Sequence, residues 1–347
     1  MRNEKSLQGF SLSVVVVSVG LLSSPVIGHH SDAGLDMDSV TTFEGTVTEF
    51  NWRNPHVYFT VETTKVGSEP VEWALQMGST IVLTRRGWAR DSLSSGDRVR
   101  VNIHAALDGR PYGLLESIEK EGGVVISTRS NSPEVAASAS TVAGIWSADT
   151  SKLGSYPGGF DGFFTAQLVL TEKARAAAAA YDPLSAENPE ATCVGRPTPA
   201  MIVSTGLYPL AIEINADEDT VMIRSEFWDQ ERAVFMDGRG HPGSGQRFDA
   251  GHSVGRWEGA TLVVDTQNFA DHRSPYQIGV PSGSQKHVVE RYRLIEDGTR
   301  LSVEFMLEDP EYLAEPMTHS RELIYSLHLT LSRFDCDPDA TRRFLRE

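Results

Sequence analysis

VFMDGRGHPGSGQRFDAGHSVGRWEGATLVVDTQNF, residues 234–269, is the stretch that decides the fold of the second half of the chain. Two strand-like runs flank a connection in which glycine recurs. Because glycine allows tight turns and close approach of other groups, the connection is predicted to cross between strands. Charged and imidazole groups are dense here, which predicts a site. They are Asp237, Arg239, His241, His252, Arg256, Trp257, Glu258 and Asp265.

Short alternating segments with tight turns continue on both sides of this stretch. Between residues 210 and 334 they predict about nine or ten strands, the last at 328–334. Such an antiparallel meander is expected to close into a lipocalin-like barrel, because closure leaves no edge strand open. A β-sandwich is the alternative. Upstream, residues 163–170 are predicted to form a strand and residues 171–181 an alanine-rich helix.

A smaller barrel is predicted for the first part of the chain. Strand patterns at 42–52, 56–63 and 71–77 precede a helix capped by Ser79, and two more strands follow. This is the element order of an OB-fold. The protein is therefore expected to be mainly β. Its expected parts are a signal peptide at 1–28, an OB-like domain at 29–126, a linker at 127–142 and the larger barrel at 143–347.

Export is predicted from the N-terminus. Arg2 and Lys5 precede the apolar run LSVVVVSVGLL at 12–22, and Gly28 offers a small residue for cleavage. This is the layout of a secretory signal peptide, and the run is too short to span a membrane. An uncleaved anchor is the alternative. After cleavage, the protein is expected in the periplasm or secreted, without a stable membrane span.

The net charge limits the possible binding partners, and the two cysteines are interpreted for an oxidising cellular compartment. The net charge is −16, and so acidic a chain repels phosphate backbones, which argues against a nucleic-acid partner. In an oxidising compartment, Cys193 and Cys336 are expected to form one disulfide, worth about 4–5 kcal/mol. A metal-thiolate pair is the alternative, although the sequence has no CxxC spacing.

The first domain carries several motifs in a fixed order. They are His29-His30-Ser31, Trp52-x-Asn54-Pro55-His56, Gly87-Trp88 and Leu93-x-x-Gly96-Asp97. With them, residues 29–125 resemble an uncharacterised family of small bacterial periplasmic proteins. The resemblance implies export and implies no particular activity.

A second set of motifs lies in the larger domain. It comprises the segment from Cys193 to Pro197, MDGRGHP at 236–242, GHSVGRWEGATLVVDT at 251–266, HVVER at 287–291, EDP at 308–310 and Cys336. With these motifs, residues 144–337 resemble another exported bacterial family that has no established activity. Ala260 replaces the family's usual Asp, and Met317 replaces its usual Trp.

The processing site leads to a copper hypothesis. If His29 becomes the first residue, its α-amine and imidazole can chelate one metal ion. A further imidazole would complete a histidine brace of the kind that suits Cu(II). His56 is the candidate, with His30 or His104 as substitutes. In the milder interpretation, the terminus is loose and His56 hydrogen-bonds the Asn-Pro turn.

Candidate catalytic residues come from the opening stretch. Histidine titrates near neutrality, a carboxylate such as Asp237, Asp265 or Glu290 can fix its tautomer, and arginine stabilises developing negative charge. The catalytic candidates are Asp237, Arg239, His241 and His252, and the ligand-binding candidates are Arg256, Trp257, His287, Glu290 and Arg291. In the structural alternative, Glu258 and Asp265 are turn and strand-end residues and Trp257 anchors the core. Glu290 and Arg291 are adjacent on a strand and must face opposite sides.

Three functions are compatible with the sequence. The favoured one is an exported barrel that binds a small, largely apolar molecule between the inward side chains of strands 220–227, 261–265 and 299–307. The second is a cofactor-independent isomerase, lyase or hydrolase with His241 or His252 as acid–base, which predicts a histidine about 3 Å from a carboxylate in a cleft. The third is copper binding through His29 and His56. The sequence has no HExxH or P-loop motif, and the glycine-rich run at 238–245 lies between predicted strands and opens no helix, so it is not predicted to hold a phosphate.

Overall fold

The first barrel has the element order expected of an OB-fold. The computed structural model describes residues 34–63, 69–122, 124–127, 137–149 and 159–345. The first elements are β1 Thr41–Asn51, β2 Tyr58–Thr63, β3 Val71–Gln76, α1 Thr80–Arg85, β4 Arg98–Ala105, β5 Tyr112–Lys120 and β6 Val124–Ser127. Their order in the sheet is β3-β2-β1-β4-β5-β6, and a parallel pairing of β3 with β5 closes the barrel. Ser79 caps α1 as predicted, accepting the N–H of Val82.

The outer face of β2 and β5 is covered by other parts of the same chain. Tyr58 and Tyr112 pack there with Leu184 and with Phe344 near the C-terminus. Arg110, in the loop between β4 and β5, donates a hydrogen bond of 3.3 Å to the carbonyl of Phe344. OB-folds commonly bind ligands on the face of strands 2 and 3 and in the adjoining loops. Here the chain itself occupies part of that surface.

The second barrel closes around nine strands in the order β10-β11-β12-β13-β14-β15-β7-β8-β9. Its elements are β7 Gly144–Ala148, α2 Gly159–Gln167, α3 Glu172–Ala180, α4 Ala200–Val203, β8 Leu210–Asn215, β9 Thr220–Ser225, β10 Gln230–Phe235, β11 His252–Glu258, β12 Thr261–Gln267, β13 His287–Ile295, β14 Arg300–Glu308 and β15 Met317–Tyr325. The predicted closed barrel is confirmed. The prediction of an entirely antiparallel meander is wrong at one place, because β10 pairs with β11 in parallel.

The parallel pairing of β10 with β11 is possible because the glycine-rich connection between them is long. A tight turn makes the next strand antiparallel, whereas a parallel partner requires the chain to return along the barrel first. Residues 236–251 make this return, and we call them the crossing loop. The crossing loop is held by Asn268, whose side-chain amide donates to the carbonyls of Pro242, Gly243 and Gln246 at 3.0–3.2 Å.

Two predicted strands are wrong. The sequence predicts a strand at residues 163–170, but most of them lie in α2, where the consecutive Phe163 and Phe164 are both buried. A short apolar run fits either period, and only packing distinguishes the two. Residues 328–334 form no strand, because carboxylates take their backbone N–H groups. Ser332 donates to Glu226 at 2.6 Å, and Phe334 donates to Asp229 at 2.7 Å.

The interior of the second barrel is packed. The inward side chains of β9, β12 and β14, which were predicted to line an apolar pocket, belong to one buried core cluster: Val221, Ile223, Leu262, Val264, Leu301, Val303, Phe305 and Leu307. Among them lies a buried ion pair between Arg232 and Glu290, in which Arg232 also bonds Thr266 at 3.0 Å and Tyr292 at 3.3 Å. Among the described residues, no helix has the length and apolar character needed to cross a membrane.

The predicted disulfide is confirmed, and it fastens the chain between the two barrels. Cys193 and Cys336 are bonded, with their Cα atoms 5.9 Å apart. Next to the bond, Asn54 of the Trp-x-Asn-Pro-His motif donates to the carbonyl of Phe334 and accepts from the N–H of Thr80 at 2.8 Å. The motif therefore anchors the disulfide segment to the first barrel.

Replacing both cysteines with serine is expected to lower the free energy of unfolding by about 2–5 kcal/mol. The bond closes a separation of 143 residues, and a long loop removes much conformational entropy from the unfolded chain. Denaturant unfolding with and without a thiol reductant measures the effect. The reductant should lower the midpoint of the wild type and leave the double variant unchanged, and equal midpoints for the oxidised wild type and the variant would contradict the expectation.

Candidate functional site

A cluster of three histidines and two carboxylates lies on the outer wall of the second barrel. Oδ1 of Asp265 is 3.0 Å from Nε2 of His241 and 3.0 Å from Nε2 of His287. Nδ1 of His241 lies 3.1 Å from Nδ1 of His252, and Nδ1 of His287 lies 3.2 Å from Oε2 of Glu308. These five residues, the histidine–carboxylate cluster, form one continuous hydrogen-bonded chain.

Strand alternation and register explain why these residues meet. Successive side chains on a strand point to opposite faces, so Thr266 faces the barrel interior and its neighbour Asp265 faces outward. The antiparallel pairing of β13 with β14 places His287 directly opposite Glu308. His252 opens β11, and the crossing loop brings His241 over the same wall. The cluster thus combines four strands with one loop.

The hydrogen bonds determine a consistent set of tautomers. Asp265 is an acceptor, so Nε2 of His241 carries the proton and Nδ1 of His241 accepts. His252 must then donate through Nδ1, which leaves the lone pair on its Nε2. Burial lowers the pKa of His252, and the nearby His241 and Arg239 lower it further. His252 is therefore a neutral imidazole at neutral pH.

His287 has the opposite character. Both of its ring nitrogens face carboxylates, which only the doubly protonated imidazolium satisfies. The hydrogen bond to Asp265 raises the pKa of His287, against partial burial, and Glu308 adds to the rise. Burial alone would raise the pKa of Asp265, but hydrogen bonds from His287 and His241 bring it below the ordinary value. One cluster thus holds one histidine with a raised pKa and one with a lowered pKa, the arrangement that separates acid from base roles.

A cleft of about 510 Å³ opens beside the cluster at the rim of the barrel. His287 and Glu308 lie on its wall, together with Gln267, Lys286 and Arg247. The cleft lies where β12 and β14 end and β13 begins, and its volume suits a small molecule. The lining combines the basic Arg247 and Lys286 with the acidic Glu308, Asp309 and Glu315, which favours a polar ligand over an apolar one.

The four candidate catalytic residues separate into two pairs. His241 and His252 join the cluster. Arg239 instead bonds Asp237 at 2.5–2.9 Å on the exposed part of the crossing loop. Arg239 also lies 4.0 Å over the ring of Phe235, and Phe235 stacks on His252 with centroids 5.2 Å apart. The Asp237–Arg239 pair therefore acts on the cluster indirectly. Arg239 packs on Phe235, which stacks on His252, and the charge of Arg239 lowers the pKa of His252.

Of the candidate ligand-binding residues, the structure brings only His287 to the cluster. Glu258 pairs with Arg256 at 2.6 Å and with Arg291 at 2.5 Å on the surface. Trp257 is 44% exposed, so its interpretation as a core anchor is wrong. Glu290 is buried inside the barrel while Arg291 faces outward, as strand alternation predicts.

The predicted copper site cannot be placed. The predicted signal peptide, His29 and His30 lie outside the described residues. His56 lies beside Tyr58, with ring centroids 6.5 Å apart, and Nδ1 of His104 lies 2.9 Å from the carbonyl oxygen of Ser39. Within the part of the chain that is described, no group of three or more His, Cys, Asp or Glu side chains is arranged to hold a metal ion.

Two cluster residues are not among the catalytic or ligand-binding candidates chosen from the sequence. The sequence predicts Asp265 at a strand end, but it lies within β12 and bonds both His241 and His287. Glu308 stands out in the sequence only as part of the Glu-Asp-Pro motif. The sequence does contain a signal for Glu308. The predicted tight turn at 296–299 fixes the register of the two strands it joins, and this register places His287 opposite Glu308.

Together, the fold and the site define a class: a two-barrel β protein with a histidine–carboxylate cluster on the wall of its larger barrel. Residues 15–116 match the model of a family of unknown function, DUF6152. This match covers the small barrel up to β5 and ends before the cluster. No curated protein matches the chain.

Proposed function

We propose that this protein is an exported, cofactor-independent enzyme that moves protons on a small molecule bound at the barrel rim. The observation that carries the proposal is Asp265, whose Oδ1 accepts hydrogen bonds from two imidazoles, one of which reaches a cleft. A carboxylate behind an imidazole fixes its tautomer and stabilises its charged form. This is support for acid–base chemistry of the isomerase, lyase or hydrolase type.

His287 and Glu308 would meet the substrate. His287 would donate through Nδ1 while Asp265 holds Nε2, and Glu308, 3.2 Å from Nδ1, would accept. His241 and His252 continue the hydrogen-bonded chain away from the cleft and would stabilise the charge on Asp265. His252, with its lone pair on Nε2, would exchange the transferred proton with solvent.

Binding of a small apolar molecule in the barrel lumen remains a prediction. The inward side chains that would line such a pocket belong to the packed core, and this favours the rim cleft. Copper binding through His29 and His56 also remains a prediction, because its first ligand lies outside the described residues.

Hydrogen–deuterium exchange tests the proposed function with a panel of simple compounds in place of the natural substrate. Small aldehydes, ketones, 2-oxo acids and esters are incubated with the protein in D₂O, and loss of their C–H signals is followed by proton NMR. Exchange of at least one compound should be catalysed by the wild type. It should fall about 10²–10³-fold in His287→Gln, because general acid–base catalysis contributes factors of this size.

A matched control is His328→Gln, which changes an exposed histidine on a turn outside the cluster. This variant should exchange protons at the wild-type rate. A His287→Gln variant as active as the wild type, or no catalysed exchange in the panel, would contradict the proposed function.

A further inference from the structure

Lys286 is a buried amine on the inner side of the same cleft. It immediately precedes His287, so the two side chains leave the chain in opposite directions, and both line the cleft because it lies at the strand end. Lys286 is 1% exposed. Its Nζ lies 4.4 Å from the centroid of Phe269 and 5.3 Å from that of Tyr276. Among the described residues, this Nζ has no hydrogen-bond partner.

Asp309 faces Lys286 across this region. It follows Glu308 at the end of β14, just as Lys286 precedes His287 at the start of β13. Its Oδ2 accepts the N–H of Gly283 at 2.8 Å, whereas its Oδ1 has no hydrogen-bond partner in the described chain. Burial raises the pKa of Asp309. No ion pair joins Lys286 and Asp309 within the described residues, although Asp309 is near enough to raise the pKa of Lys286 against burial.

Two further buried polar atoms in this part of the chain also lack partners. Oη of Tyr276 and Oγ of Ser282 make no hydrogen bond within the described residues. Buried polar groups in folded proteins are almost always hydrogen-bonded, and an exception calls for a missing partner. Four such atoms on residues 276, 282, 286 and 309 are what a site for a polar ligand presents.

Burial also changes the protonation of the Lys286 amine. Burial lowers its pKa to about 7, although Asp309 opposes the shift. An ammonium group without an acceptor is costly to bury, so a large share of the amine carries a free lone pair. Lysines activated in this way by desolvation form Schiff bases with carbonyl compounds.

We propose that Lys286 condenses with an aldehyde or ketone in the cleft, so that small carbonyl compounds are the substrates of the neighbouring acid–base site. Nζ adds to the carbonyl carbon, the carbon–oxygen bond then breaks, and the oxygen leaves as water with the two amine hydrogens. Asp309 passes the proton to the departing oxygen and regains it from nitrogen. The step consumes no oxidant or reductant.

Formation of the imine explains why Lys286 and Asp309 lie in the same cleft as His287 and Glu308. Asp309 then gives the regained proton to the imine nitrogen, and the protonated imine acidifies the adjacent C–H bond. Glu308 accepts the proton from that carbon, and His287 is the donor that returns a proton. This second step rests on the proposed function, whereas the condensation itself depends only on Lys286 and its surroundings.

Acetylacetone is the probe for the condensation. It reacts with an unprotonated amine to give an enaminone that absorbs in the near ultraviolet and adds the mass of acetylacetone less one water. At pH 7, a lysine with a pKa of about 7 holds about 10³-fold more free amine than one at 10.5. The wild type should therefore gain one adduct, which peptide mapping locates on Lys286.

The matched variants are Lys286→Met and Lys173→Met. Methionine keeps the chain length without the amine, and Lys173 is an exposed lysine paired with Glu311. Lys286→Met should give no adduct, and Lys173→Met should react like the wild type. Modification spread over exposed lysines with Lys286 unmodified would overturn the proposal. If Lys286→Met fails to fold, peptide mapping of the wild type decides alone.

Failure of this proposal can be distinguished from failure of the proposed function. In His287→Gln the adduct on Lys286 should still form while catalysed exchange is lost. An adduct without any catalysed exchange supports the Schiff base and removes the acid–base function. Exchange that depends on His287 but persists in Lys286→Met, with no adduct in the wild type, leaves the acid–base function and overturns the Schiff base.

Discussion

Asp265→Asn is expected to lower the rate of catalysed proton exchange by about 10³–10⁴-fold, the largest effect of any single change in the cluster. Asparagine keeps the size of the side chain but removes the charge that both His241 and His287 face. An aspartate behind a catalytic imidazole contributes up to about 10⁴-fold in serine proteases, mostly by fixing the tautomer. Asp265 serves two imidazoles, so its loss disturbs both.

The same variant should shift the pH dependence in a defined direction. The hydrogen bond to Asp265 raises the pKa of His287, against partial burial. If protonated His287 is the acid, activity is present at low pH and lost as pH rises through this pKa. In Asp265→Asn the raised pKa falls, so the descending limb of the pH–rate profile moves to lower pH. NMR titration of the His287 ring should show the same displacement.

The raised pKa of His287 also makes the free energy of unfolding depend on pH. A raised pKa in the folded state means that charged His287 stabilises the fold fully below its unfolded pKa of about 6.5 and less as pH rises through the folded pKa. Asp265→Asn should weaken this dependence, as denaturant unfolding at several pH values would reveal. Asp249→Asn, an exposed change on the same crossing loop, is the control and should leave both profiles unchanged. An unchanged His287 titration in Asp265→Asn would contradict the role of Asp265 in raising the pKa of His287.

The fold was more accessible from sequence than the site. Hydrophobic alternation and turn residues report local structure, and they predicted both barrels and the cap at Ser79. The parallel pairing of β10 with β11 depends on how far residues 236–251 travel along the barrel. That path is fixed by tertiary contacts such as the bonds from Asn268 to three loop carbonyls, and no local pattern encodes them.

The site was only half predictable for a related reason. His241 and His252 stand out by residue type within a glycine-rich stretch. Asp265 and Glu308 look like ordinary strand-end acids until the registers of three strand pairs are known. Lys286 carries no sequence signal, because the burial that lowers its pKa arises only in the folded chain.

Glu290→Gln is expected to lower the free energy of unfolding by about 3–5 kcal/mol. Glu290 is fully buried and pairs with Arg232, whose side chain is 2% exposed. Removing one partner of a buried pair leaves the other charge without compensation, and this is the costly case. Arg291→Gln is the control on the adjacent position of β13. Arg291 makes a surface pair with Glu258, so its replacement should cost at most about 1 kcal/mol.

The double variant Arg232→Met, Glu290→Leu separates the penalty of a stranded charge from the net value of the ion pair. With both charges gone, the hydroxyls of Ser253 and Thr266 still bond each other at 2.9 Å, and the hydroxyl of Tyr292 loses its bond to Arg232. Because apolar residues can replace a buried pair at little cost, the double variant should regain most of the stability that Glu290→Gln loses. A double variant less stable than Glu290→Gln would mean that the Arg232 network itself holds the strands together. Equal unfolding free energies for Glu290→Gln and Arg291→Gln would show that the charge on Arg232 is not stranded.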